Sequence, residues 1–157
     1  MVKLLILLLP FLFVNDSVPT INFNEFEKRV INPENDTLFV VNFWATWCKP
    51  CVAELPFFEN QFTKIQDKPV RILMASLDFK NQIDRLEKFR NDRNMNNEVF
   101  LLDTGNSDDW ITKVYPYWGG AIPATAFYKS GKMRYFHDAE FTGPELDSTI
   151  TAQLNKK

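Results

Sequence analysis

Soft metal ligands are nearly missing: two cysteines and a single histidine, His137, are all that the 157 residues offer. A structural zinc site wants four such ligands, so the inventory speaks against one. A c-type haem attachment needs His directly after the second cysteine of a Cys-x-x-Cys run, and Val52 stands there instead. Covalent bracing is equally poorly served. Cys48 and Cys51 close so short a loop that the chain-entropy model gives about 2 kcal/mol, against about 5 for a loop of about 100 residues. An excess of charge of either sign is also missing, since 18 Lys plus Arg face 20 Asp plus Glu for a formal net charge of -2. That balance leaves no basic footprint for nucleic acid or for an anionic membrane surface. Repeats, low-complexity tracts and linkers are absent too, so beyond its N-terminal leader the chain reads as one domain.

What is present is an apolar chain rich in phenylalanine, with 15 of them in a composition that is 45% hydrophobic, enough for an aromatic core. The N-terminus carries Lys3 and then an unbroken apolar run over residues 4–14. This is the layout of an export signal, and the run is too short to span a bilayer as an ordinary helix. Asn15-Asp16-Ser17 is a poor cleavage site, so residues 1–17 are expected to be a signal peptide or an uncleaved N-terminal membrane anchor, with the domain over 18–157. Either way the expected location is exported: the bacterial periplasm or the outer side of the membrane.

Within the domain, residues 24–31 read as an amphipathic helix with Asn24 as its N-cap, and residues 32–36 as a turn. The run Thr37 to Trp44 is nearly all apolar, β-branched or aromatic, as in a strand buried on both faces of a parallel sheet. A helix over residues 49–65 follows, with a kink expected at Pro56. Strands over 70–77 and 99–102 alternate with helices over 82–93 and 108–115. Ser130-Gly131-Lys132 marks a hairpin between 125–129 and 133–136, and Gly143-Pro144 opens a last helix to about Leu154. The order is βαβαβα and then ββα, an α/β domain.

Cys48-Lys49-Pro50-Cys51 falls where the central strand hands over to a helix. A free thiol has a pKa near 8.5, and unpaired N–H groups with the helix dipole favour its anion. Pro50 in the first turn loses no helical hydrogen bond. The spacing puts both sulfurs on one face, with Cys48 as the exposed nucleophile and Cys51 as the shielded resolving thiol. Lys49 places a cation beside Cys48, and Trp47 offers an apolar wall. Phe43, Trp44 and Phe57 read as core, and His137 as a bystander.

The segment Val41-Asn-Phe-Trp-Ala-Thr-Trp-Cys-Lys-Pro-Cys51, continued by Val-Ala-Glu-Leu-Pro56, closely resembles the active-site segment of thioredoxins, in particular the TlpA/ResA-like branch of exported reductases. The resemblance runs from about Thr20 to the C-terminus. It implies a thioredoxin-like fold: a central mixed sheet flanked by helices, with the dithiol at the tip of the first long helix. The extra strand–helix segment around Val99 to Tyr115 implies an insertion typical of that branch. Pro123 matches the family's cis-proline beside the dithiol, a trans proline at a strand's start being the alternative, and Ile122 would supply the backbone contact to substrate. Glu54 matches an acidic residue linked to proton handling, although a carboxylate near a helix N-terminus is also stabilising by itself. Asn42 departs from the buried Asp of cytoplasmic thioredoxins and shifts weight onto Glu54.

The activity implied is reduction of protein disulfides outside the cytoplasm, with the Cys48–Cys51 dithiol as the redox group and no other cofactor or metal. Implied partners are protein thiols and disulfides, apocytochrome c among them, and a membrane thiol electron donor. A DsbA-like disulfide-forming oxidase and a non-catalytic binding or chaperone module are the alternatives. Peroxiredoxins share the fold but place Thr three and Pro seven residues before the nucleophile; Ala45 and Val41 occupy those positions, which disfavours peroxide chemistry.

Overall fold

Seven residues, Leu38–Trp44 (β2), form the strand on which everything else is hung, because apolar side chains on both of its faces need cover. In the computed structural model, which describes residues 17–31, 36–105 and 107–156, β2 pairs in parallel with Val70–Ser76 (β3) and antiparallel with Ala124–Lys129 (β5). Beyond β3 lie Glu98–Asp103 (β4) and then Thr20–Asn22 (β1), both parallel; beyond β5 lies Lys132–His137 (β6), antiparallel. The six-stranded order is β1-β4-β3-β2-β5-β6, so the sheet is mixed as expected and β4 is the inserted strand.

Period-two alternation divides the core. Val40, Ile72, Met74 and Phe127 face one layer, where Lys49–Lys64 (α2), Ile83–Asp92 (α3) and Gly143–Asn155 (α5) contribute Leu55, Phe58, Leu86, Leu146 and Ile150. Val41, Phe43, Leu73 and Phe100 face the other, covered by Phe23–Val30 (α1) and Asp109–Val114 (α4) through Phe26, Val30, Trp110 and Val114. The alternation has a direct consequence for chemistry: Asn42, between Val41 and Phe43, faces α2.

Several boundaries differ from the sequence expectation. β1 has no counterpart in that reading, since three residues carry no usable alternation; it is fixed by pairing with β4 across Ile21 and Leu102. The N-cap of α1 is Asn22 rather than Asn24. Its side chain accepts from Glu25 N at 3.0 Å while Glu25 Oε2 accepts from Asn22 N at 2.9 Å, a reciprocal capping box two residues earlier. A 3-10 turn, Lys80–Gln82, precedes α3. α2, by contrast, runs over Lys49–Lys64 with the exposed Pro56 inside it, close to the expected bounds. Phe57, read as core, is only half buried, and its neighbour Phe58 fills the core instead. Ser130 and Gly131 both have positive φ, 50° and 72°, as the tight turn between β5 and β6 requires. The expected turn at 32–36 lies almost wholly outside the described residues, as does the leader up to residue 16. Val18 is already buried, and its N–H donates to Glu87 Oε1 at 3.1 Å.

Candidate active site

The C-terminal end of β2 delivers the chain to Ala45-Thr46-Trp47 and then to Cys48, the N-cap of α2. Two hydrogen bonds fix this connection from the neighbouring strand, and a third holds the acceptor in place. Asp78, buried just past β3, accepts from Thr46 N at 3.0 Å and Thr46 Oγ1 at 2.6 Å, and from Ser76 Oγ at 2.7 Å. Sequence reasoning passed over Asp78 and Thr46; an acidic residue at the end of an otherwise apolar strand was the only available sign.

Cys48 and Cys51 are joined by a disulfide, with Cα atoms 5.3 Å apart. Cys51 N–H points at Cys48 Sγ across 3.3 Å, so one of the unpaired amides at the start of α2 is aimed at the sulfur that would carry negative charge. Cys48, expected to be exposed, is nearly buried with 6% of its surface open, while Cys51 has none, so Cys48 is the more accessible of the two but not an exposed side chain. Lys49 and Pro50 are exposed, and Trp47 is 49% exposed.

The Ile122–Pro123 peptide bond is cis, and Ile122 O lies 3.7 Å from Cys48 Sγ, within reach of a reduced S–H donor. The chain thus brings together Cys48, Cys51, Ile122 and Pro123, 74 residues apart in sequence at their widest hydrogen-bond contact. Phe79 follows β3 and Tyr117 precedes β5, both at the same end of the sheet as Trp47, and both are well exposed. The end of the sheet that carries the disulfide thus also carries three exposed aromatic side chains, Trp47, Phe79 and Tyr117.

Glu54 sits one turn along α2 from Cys51 but faces the sheet. It is fully buried, its Oε1 accepting from Asn42 Nδ2 at 2.8 Å and its Oε2 from Phe141 N at 2.8 Å. Asn42 Nδ2 also reaches Thr125 Oγ1 at 3.1 Å, across the β2–β5 pair. Burial raises the Glu54 carboxyl from 4.5 to about 7; the two hydrogen bonds oppose the rise and nearby Glu140 adds to it. Desolvation wins that contest, and the result is a buried acid that changes charge near neutral pH. His137 stacks on Phe141 with centroids 3.9 Å apart, beside this pocket rather than at the sulfurs.

Residues 17–95 match the family described as Thioredoxin. Among curated proteins, the thiol–disulfide oxidoreductase ResA of Oceanobacillus iheyensis is 46% identical over 39 residues, 25% of this chain and 20% of that protein. The match thus spans about a fifth of that relative's length. The thioredoxin of Rickettsia prowazekii is 27% identical over 99 residues, covering 57% of this chain and 91% of the relative. A thiol:disulfide interchange protein of the thioredoxin family from Chlorobium tepidum superposes with a TM-score of 0.64 at 17% identity, over 77% of this chain and 82% of that one, a likeness of fold.

Proposed function

The chain belongs to the thioredoxin family, and from that premise we propose that it reduces disulfide bonds of other proteins by thiol–disulfide exchange. The observation that carries the reading is the Cys48–Cys51 disulfide at the start of α2, facing the carbonyl of Ile122 across 3.7 Å.

In the reduced protein, the Cys48 thiolate attacks one sulfur of a substrate disulfide, and the other substrate sulfur leaves as a thiolate. Cys51 then loses its proton and attacks Cys48 Sγ in the mixed disulfide. This closes the Cys48–Cys51 bond and releases the second substrate thiol, so that two electrons pass from protein to substrate. Glu54, one turn from Cys51 and titrating at about 7, is the group we assign to take the Cys51 proton. Ile122 offers its backbone to an extended substrate segment, with Pro123, Pro50 and Lys49 at the margin and Trp47 as the apolar wall. The exposed Phe79 and Tyr117 at the same end of the sheet suit a polypeptide rather than a small polar disulfide.

The work is assigned to the outside of the cytoplasm, on the strength of Lys3 and the apolar run over 4–14, acting as a signal peptide or an anchor. No helix of the described residues is long and apolar enough to cross a membrane. Return to the dithiol form then needs two electrons from a thiol donor in the membrane. The test is insulin-disulfide reduction by the wild type and by Cys48→Ser. Turnover by the wild type alone supports the reading, and equal rates refute it.

A further inference from the structure

The backbone contact at Ile122 depends on the turn that immediately precedes it. Trp118-Gly119-Gly120-Ala121 leads into the cis bond, and two successive glycines give that stretch wide conformational freedom. Nothing lies within 4 Å of where a Cβ would stand at Gly119, so one side of the turn has open space.

Against this freedom stands Trp118. Its ring is buried in the core, packed on Phe43 of β2 at 5.0 Å, edge-on to Trp110 of α4 at 5.3 Å, and against Phe136 of β6 at 5.5 Å. From that anchored position Nε1–H donates to Ala121 O at 2.8 Å, closing the turn with a side chain. Gly120, at φ +81°, lies directly on α4: a Cβ there would be 2.8 Å from Ile111 Cδ1. The turn is therefore tied from within by the indole and supported by the helix of the inserted strand–helix segment. One residue past Ala121 comes the carbonyl that faces Cys48.

We propose that Trp118 is a positioning residue for polypeptide substrates: through Ala121 it sets where the Ile122 backbone stands relative to Cys48 Sγ. The inference rests on the reductase reading, because strand-like pairing at Ile122 matters only if an extended chain docks there. A small aromatic disulfide needs access to the sulfur and makes no such pairing, so it is the internal control.

The experiment uses the full chain with two substrates, insulin and 5,5′-dithiobis(2-nitrobenzoic acid). Trp118→Phe keeps an aromatic ring and removes the donor. The expected result is a KM for insulin raised about three- to tenfold, the scale set by one lost hydrogen bond, with kcat within about twofold. The rate on the small disulfide is expected to stay at the wild-type value. Should Trp118→Phe fold poorly, Gly120→Ala displaces the same turn from the α4 side with the indole intact, and the same split between substrates is expected. Unchanged insulin kinetics in the folded variants, or a parallel loss on both substrates, overturns the inference alone. A wild type inert to both disulfides overturns the reductase reading and this inference with it.

Discussion

Replacing Glu54 by Gln keeps the shape of the buried side chain and removes its charge, and its effect on stability should depend on pH in a way fixed by the geometry. In the folded chain burial holds the carboxyl at about 7, against 4.5 in the unfolded chain. Between those values the folded protein keeps a proton that the unfolded chain has released. Stability from this group is therefore full below pH 4.5 and falls as pH rises through 7. At about 1.4 kcal/mol per pH unit, the interval corresponds to about 3 kcal/mol. Other titrating groups are common to both proteins and cancel in the difference. The assay is urea unfolding of the oxidised wild type and of Glu54→Gln between pH 4 and 8. The variant is expected to gain on the wild type by about 3 kcal/mol across the range, with most of the gain between pH 5 and 7. Stability curves that stay parallel from pH 4 to 8 would refute the claim that burial outweighs the hydrogen bonds from Asn42 and Phe141.

Asn42→Ala removes one of the two donors that hold the Glu54 carboxyl down, so the midpoint of the Glu54-dependent stability loss should move above pH 7. An unmoved midpoint counts against the pairing. Asp78→Ala strands Thr46 N–H and the hydroxyls of Thr46 and Ser76 in a buried place, with a stability loss on the order of 3 kcal/mol by denaturant unfolding. Because Thr46→Val deletes a bond that Asp78→Ala also deletes, the double variant should lose less than the sum of the two; simple additivity speaks against the clamp. Cys51→Ser lacks the resolving thiol and should accumulate covalent complexes with substrate that dithiothreitol releases, visible on a non-reducing gel. Reversible complexes indifferent to reductant would point to binding without exchange.

The sheet and the dithiol were legible because their signals are local. An apolar run as long as β2 has few alternatives, Pro50 marks a helix start, and Ser130-Gly131 satisfies a turn that needs positive φ. The motif around Cys48 lies within one strand-to-helix connection, so its placement follows once those two elements are known. The inserted segment was visible as an extra strand and helix, although β1, which borders it, was too short to read. What stayed hidden joins residues distant in sequence. Asn42 and Glu54 are both visible as polar residues in apolar surroundings, yet only the packing of α2 on β2 makes them partners. The third member, the backbone N–H of Phe141, comes from 87 residues further on. Trp118 next to Gly-Gly reads as loop; its burial and its bond to Ala121 depend on β2, α4 and β6 converging there.

The central claim is that Cys48 and Cys51 serve as a reductant of protein disulfides, and the reduction potential of the pair against a glutathione or dithiothreitol series tests it most directly. A value near that of thioredoxin, about -270 mV, is what the account expects. A value near -120 mV, that of a strong oxidant, would contradict it and assign the same two sulfurs to making disulfides rather than breaking them.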